Sequence, residues 1–474
     1  MKLKIATAVV CPNAKKWLTV MAAVAVLFCV ALGAEAQFQA SDPGVRQGPP
    51  GAGGMRSGLS WFYQQFFAAS QTRFEAIDSV SGNEPGSTRG AGGLGPRFNG
   101  ISCSGCHIQP AIGGSSPAFN PQIGFATVFG GNNQVPSFIL ANGPVREVRF
   151  KNFTDERGVP ISGSPDGGVH DLFTVTGMRD AAGCALAQPP FDQQIAQNNV
   201  VFRIPTPVFG LGLVEDISES QLTANLESDA WRKEALGIRG TFNRSGNDGT
   251  ITRFGWKAQN KSGLLFAGEA YNVEIGVTND LMPNERPSPG ETLPNSCLLN
   301  PINEDVESGP AGNSGFPSSD LMSDIVNFAM FMRLTAPPTP SSPTPDTQRG
   351  AQVFVSVGCN ECHTPSITTG TTSAITGETN VAVNAFSDFA LHHMGRDLAD
   401  GVTQGQAGPD QFRTAPLWGV GQRIFFLHDG RTSDLLQAIQ AHASSGSEAN
   451  GSIGLFNGLS PWQQQSLLDF LRSL

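Results

Sequence analysis

The strongest constraint on this chain is the run Cys103-Ser104-Gly105-Cys106-His107, which recurs as Cys359-Asn360-Glu361-Cys362-His363. Two thiols on one helical turn can each add to a vinyl group of the same haem, and the adjacent histidine is then held under the iron as its proximal ligand. Two copies therefore imply two covalently bound c-type haems, one on Cys103, Cys106 and His107 and one on Cys359, Cys362 and His363. A zinc site or a redox dithiol is the competing reading of Cys-x-x-Cys. Zinc would call for a second Cys or His pair close in sequence, and neither copy has one.

The compartment agrees. Residues 1–36 read as a secretory signal: Lys2, Lys4, Lys15 and Lys16 make a basic start, Trp17 to Gly33 is apolar, and Ala34-Glu35-Ala36 offers a cleavage site. An uncleaved anchor is the alternative, but the apolar run is short for a span and ends in small residues. No later stretch is apolar enough to span a bilayer, so the expected product begins at Gln37, is periplasmic and has no stable membrane span. The whole chain carries 30 Lys+Arg against 40 Asp+Glu. Losing four Lys and one Glu with the signal makes it more acidic still. That argues against nucleic acid and anionic membrane as partners and favours a basic electron-transfer protein, although solubility alone also explains it.

With 56 Gly and 33 Pro but 39% hydrophobic residues, the chain is too apolar for disorder and reads as a globular protein with long irregular connections. The expected class is mainly α: two cytochrome c-like haem domains in tandem, with a few short strands. Gln37 to Ser57 reads as an extended arm. Trp61, Phe62, Phe66, Phe67 and Phe74 suggest a helix from Ser60. Short strands are expected at 147–151 and 200–204. A helix is expected over 319–334, with Asp320 in its first turn. Pro337-Pro338-Thr-Pro340-Ser-Ser-Pro343-Thr-Pro345 is the clearest linker. The organisation is then signal 1–36, first haem domain with insertions 37–336, linker 337–345 and second haem domain 346–474. In the second domain the helix over 346–357 delivers Cys359, and a C-terminal helix follows Ser460-Pro461.

The halves match beyond their haem motifs. Pro207-Val-Phe-Gly-Leu-Gly212 mirrors Pro416-Leu-Trp-Gly-Val-Gly421, with Arg203 and Arg413 shortly before. Ser262-Gly-Leu-Leu-Phe-Ala-Gly-Glu-Ala-Tyr271 mirrors Ser433-Asp-Leu-Leu-Gln-Ala-Ile-Gln-Ala-His442 without a gap. Three matching blocks in one order point to duplication. The first half is longer, chiefly through 213–250 and 277–318.

The repeat sets His442 opposite Tyr271, with Glu274 almost a turn later, so one helix face offers each iron different chemistry. A haem with two strong ligands transfers electrons; an open one can bind peroxide or oxygen. His442 is the favoured sixth ligand of the second haem and Met394 its rival. Tyr271 either packs against the first haem or ligates it. Glu274 is either a solvated carboxylate or the group that moves a peroxide proton as the O–O bond breaks. Cys184 and Cys297 form a disulfide or remain buried thiols. Asp166 and Asp171 could hold calcium, without a spaced ligand motif to support it.

Gly93-Leu-Gly-Pro-Arg-Phe-Asn99, Arg203-Ile-Pro-Thr-Pro-Val-Phe-Gly-Leu-Gly-Leu-Val-Glu215, Phe328-Ala-Met-Phe-Met-Arg-Leu-Thr-Ala-Pro337, Arg413-Thr-Ala-Pro-Leu-Trp-Gly419 and Leu427-His-Asp-Gly-Arg431 together resemble the dihaem oxidoreductase family, labelled peroxidases or thiol oxidoreductases. More distantly the chain is similar to bacterial dihaem cytochrome c peroxidases and the methylamine-dehydrogenase maturation enzyme. In that superfamily the His442 position holds a Met or Tyr ligand and a catalytic acid serves the first haem. The resemblance therefore implies Glu274 as the acid and Trp256 as the Trp between the haems, or simply a core Trp. It also implies peroxide as oxidant and a small periplasmic cytochrome c or cupredoxin as donor. A histidine in place of Met should lower the second haem's potential. A non-enzymatic dihaem carrier, or a dioxygen-using or protein-oxidising enzyme, remains the alternative.

Overall fold

The computed structural model describes residues 38–299, 323–370 and 379–474. The expected signal sequence and residues 319–322 of the expected helix lie outside the described residues. The chain is mainly α. The helices that frame the site are α1 (Trp61–Glu75), α2 (Leu211–Glu215), α3 (Ala230–Leu236), α4 (Gly263–Ala270), α5 (Asp324–Leu334), α6 (Pro345–Ser356), α7 (Leu435–Gln440), α8 (Asn450–Asn457) and α9 (Pro461–Ser473). Among the described residues no helix is long and apolar enough to cross a membrane.

Two helix pairs carry the architecture. The first begins where the Ser60 side chain accepts the Tyr63 N–H, starting α1. Phe67 and Phe74 on its buried face stack on Phe331 of α5 at 5.7 and 4.3 Å between ring centres. Burying each such ring is worth about 1.5–3 kcal/mol. In the second pair, reciprocal capping by Thr344/Thr347 and Ser460/Gln463 starts α6 and α9, with Pro345 and Pro461 in their first turns. Pro345 therefore belongs to α6 and not to the linker expected at 337–345. The two helices pack closely because residue 350 is glycine: a Cβ there would run into the Ser466 carbonyl oxygen.

The repeat is visible in the backbone. Gly210 and Gly419 both adopt positive φ, at +59° and +73°. Two residues later, a Cβ on Gly212 would strike the Arg333 carbonyl of α5, and one on Gly421 would strike the Arg472 carbonyl of α9. Each half thus seats the same Gly-x-Gly turn against the end of its C-terminal helix.

The expected strands form a ribbon. β1 (Glu147–Phe150) pairs antiparallel with β2 (Val200–Arg203), Glu147 opposite Arg203. β3 (Leu391–His393) pairs with β4 (Gln411–Arg413), Leu391 opposite Arg413.

Three connections tie the halves together. Helix α3, in the insertion 213–250, leans on the second half: Arg232 reaches the Val355 carbonyl and pairs with Glu361 at 3.2 Å, while Leu236 packs on Gly358. Arg203 pairs with Asp400 at 2.7 Å. The N-terminal arm, expected to be extended, is strapped across the C-terminal half. Phe38 stacks on Trp462 with ring centres 4.0 Å apart, and Asp42 pairs with Arg472 at 2.5 Å.

Cys184 and Cys297 are joined in a disulfide inside the larger hydrophobic cluster. The carboxylates suggested for calcium are committed elsewhere: Asp166 pairs with His170 at 2.9 Å and Asp171 with Arg286 at 3.0 Å.

Candidate functional site

Each Cys-x-x-Cys-His motif opens into its own cavity. The first cavity, of about 1130 Å³, is lined by Cys103, Cys106 and His107 together with Glu147, Arg149, Arg203, Trp256, Tyr271 and Glu274. His107 Nδ1 lies 3.0 Å from the Gly114 carbonyl oxygen. That oxygen can only accept, so Nδ1 carries the proton and Nε2 keeps its lone pair. Burial lowers the imidazole's pKa, which favours the neutral, ligating form.

Glu274 sits in a π-type turn, Tyr271–Ile275, that follows α4. The segment before the first motif holds this turn. The N–H groups of Asn99 and Gly100 donate to the Glu274 carbonyl at 2.8 and 2.9 Å. Gly95 and Gly276 lie so close that a Cβ on either would strike backbone. The Gly-Leu-Gly-Pro-Arg-Phe-Asn block thus has a physical role, fixing where the Glu274 side chain starts.

That side chain is coupled to Glu147, which reaches the same cavity from β1. Burial pushes the Glu274 carboxyl well above its ordinary value, and the neighbouring Glu147 and Asp171 charges push it further. Burial also works on Glu147, but Arg149 and Arg203 outweigh it and hold that carboxyl below the usual range. Arg149 pairs with Glu147 at 2.6 Å. Of the two acids, Glu274 is the one shifted toward its protonated form and Glu147 the one shifted toward its ionised form. Glu147 was not singled out in the sequence. The available signal was a Glu and an Arg at i and i+2, hence on one face of a strand that is otherwise apolar.

Tyr271 is 1% exposed and its hydroxyl is spent: it donates to Asp324 at 2.9 Å and accepts from Arg73 at 2.6 Å. Arg73 in turn pairs with Asp78 and Asp324. The ring lines the cavity, while its oxygen is held in a buried ion network.

The second cavity, of about 1330 Å³, is lined by Cys359, Cys362, His363, His392, Met394, Arg413, Arg423 and His442. His363 Nδ1 donates to the Phe386 carbonyl at 3.1 Å and His442 Nδ1 to the Ala438 carbonyl at 2.8 Å, so each ring keeps Nε2. Burial, with the neighbouring His442 adding to it, lowers His363 to about 4. Both candidate sixth ligands, His442 and Met394, border this space. His392, which sequence reasoning passed over, is clamped between Asp388 at 2.9 Å and Glu448 at 2.8 Å.

Trp256 lines both cavities. Its indole N–H donates to the Ile204 carbonyl in the first repeat block, and its own carbonyl accepts the Arg413 N–H of the second, each at 2.9 Å. It is therefore a hydrogen-bonded wall between the two spaces.

The donors fit a haem better than the alternatives. A redox dithiol works as a thiolate, yet burial pushes Cys103 and Cys359 up to about 12. A metal-like grouping of Cys362, Asp388 and His392 includes only one thiol of its motif, and both His392 nitrogens already face carboxylates.

A family model described as "Di-haem oxidoreductase, putative peroxidase" matches residues 163–474. The matched span holds Trp256, Glu274, Met394, His442 and the second motif; the first motif precedes it. No curated protein matches the chain.

Proposed function

Because the chain belongs to the di-haem oxidoreductase family, we propose that it is a periplasmic c-type dihaem peroxidase with a reactive first site and an electron-transfer second site. The observation that carries this reading is the contrast between the cavities. The cavity that His107 lines holds one carboxyl shifted toward protonation and one shifted toward ionisation, while the cavity that His363 lines holds a second imidazole, His442, whose Nδ1 is committed to a backbone carbonyl.

Cys103, Cys106 and His107 would hold one haem and Cys359, Cys362, His363 and His442 the other. The iron supplies the one-electron chemistry when the haem is bound. In the cavity that His107 also lines, Glu274 holds a proton at its carboxyl and delivers it to the departing oxygen of a peroxide. Glu147, already ionised and steadied by Arg149, stabilises the proton on Glu274 and takes up its replacement. The first cavity's apolar walls, Phe74, Phe328 and Met332, limit water at that transfer. Trp256, bonded to both repeats, offers the path for electrons between the sites. Electrons enter from a small periplasmic cytochrome c or cupredoxin, and the acidic surface suits a basic donor.

Steady-state peroxide reduction with a reduced donor tests this. Glu274→Gln keeps the shape but has no carboxyl proton to give, so turnover should fall about 100-fold or more. Wild-type-like turnover in that variant would remove Glu274 from the reaction.

A further inference from the structure

The two cavities also differ in how their buried cations are balanced. In the first, Arg149 faces Glu147 at 2.6 Å, and Arg203 faces Asp400 at 2.7 Å. In the second, Arg413 and Arg423 are 8% and 7% exposed and line the same cavity. Arg413 is tethered to backbone alone, its Nε donating to the Gly255 carbonyl at 2.9 Å and one Nη to the Thr414 carbonyl at 3.5 Å. Arg423 is held only by its main chain: its N–H donates to the Val420 carbonyl and its own carbonyl accepts from Arg472. Among the described residues no carboxylate pairs with either guanidinium. The single acid lining this cavity, Glu448, is already engaged by His392 at 2.8 Å.

A guanidinium taken out of water without a counter-charge is strongly unfavourable, and two side by side are worse. Burial lowers both arginines to about 10; for Arg413 the charge of Arg423 adds to the effect and the charge of Asp388, which is itself paired with His392, opposes it without reversing it. The planar fork of arginine matches a carboxylate bidentately. A haem carries two carboxylates of its own, and nothing else in this cavity supplies them.

We propose that Arg413 and Arg423 clamp the haem propionates in the second cavity and, as a positive pair, raise that haem's reduction potential. The inference rests on the dihaem reading. It gives the second site a built-in counterweight: two imidazole ligands would pull its potential down, and the guanidinium pair pulls it back up. The first site has no such device, since its arginines are already neutralised by the protein.

The experiment uses full-length holoprotein. Haem is counted by pyridine haemochrome, each potential is measured by optical redox titration, and propionate bending bands are followed by resonance Raman. Arg423→Gln should lower the second haem's potential so that its oxidised-to-reduced ratio changes roughly tenfold, about 59 mV for one electron, with the first haem unmoved. Arg423→Lys keeps the charge but loses the fork, so its propionate bands should shift while its potential stays near wild type; it also serves if Arg423→Gln fails to accumulate. Two retained haems with unchanged potentials and unchanged bands in Arg423→Gln would overturn the clamp. A wild type with no haem in the second cavity would instead overturn the dihaem reading beneath it.

Discussion

The strap from the N-terminal arm to α9 allows a quantitative test of why a buried charge is kept. The Asp42 and Arg472 side chains are 8% and 5% exposed and meet at 2.5 and 2.7 Å. Asp42 also accepts the Leu435 N–H at 2.7 Å. In Asp42→Ala the guanidinium stays buried without its counter-ion, a loss of about 3–5 kcal/mol. Arg472 keeps the carbonyls of Gly421 and Arg423 as acceptors, at 3.2 and 3.0 Å, which places the expected loss near ~3 kcal/mol. With a guanidinium chloride slope of about 4 kcal/mol per M, the midpoint followed by circular dichroism should drop by roughly 0.7 M. The decisive comparison adds Arg472→Met: if the orphaned charge is the cost, the double variant is more stable than Asp42→Ala alone. A double variant no more stable than the single would refute the reasoning. The pH dependence has a fixed sign. Burial raises the Asp42 carboxyl, but Arg472 and the Leu435 and Gly44 N–H groups outweigh it, so its folded pKa is lowered. The stabilisation is therefore complete above the unfolded carboxylate value of about 3.9 and is lost as pH falls through the lower folded one. Below that point wild type and Asp42→Ala should converge.

Two substitutions at the second site separate the rival ligands: His442→Leu should convert that haem from low to high spin in electron paramagnetic resonance, while Met394→Leu should leave the spectrum unchanged. Trp256→Phe removes the indole N–H that Ile204 accepts, which should cost about 1 kcal/mol. It should also slow electron passage between the sites, read by rapid-mixing optical spectroscopy, while both haems remain. Gly421→Ala forces a Cβ against the Arg472 carbonyl, and overpacking of this kind should lower thermal stability by about 1–3 kcal/mol.

Much of the framework was legible because it obeys local rules. Ser460 was readable as the cap of the last helix, and the apolar spacing of Phe67, Phe74, Leu467 and Leu468 marks the buried faces of the helices that frame the cavities; Thr344, placed in the linker by its flanking prolines, instead caps α6. The repeat paired Tyr271 with His442, and both line cavities at equivalent places after α4 and α7. What stayed hidden depends on contacts distant in sequence. Glu147 acts on Glu274 across more than a hundred residues, and nothing local marks a strand carboxylate as the partner of a helix-end one. The arm around Asp42 read only as extended, because a Gly/Pro-rich segment has no periodicity to show what it packs on; its binding site is assembled from α9 and the Leu435 N–H. The insertion 213–250 looked like added length, yet Ile238 lines the second cavity and Leu236 packs on Gly358, which lines it too.

The duplication explains why the sites can differ in chemistry while sharing a frame. Helix packing and the Gly-x-Gly turn use residues that must match in both halves, since a Cβ at Gly212 or Gly421 meets backbone that cannot move away. The groups that give each cavity its character lie outside those constraints. Glu147 comes from a strand, Glu274 from a π-type turn that follows α4, and Arg423 from the residue just after the second turn. Each can change without disturbing a helix crossing. On the proposed reading, charge balance then separates the two sites. Where the protein supplies its own carboxylates, as at Arg149 and Arg203, a proton would be held for delivery. Where no carboxylate pairs with the guanidinium groups, as at Arg413 and Arg423, a bound anion would complete the fold.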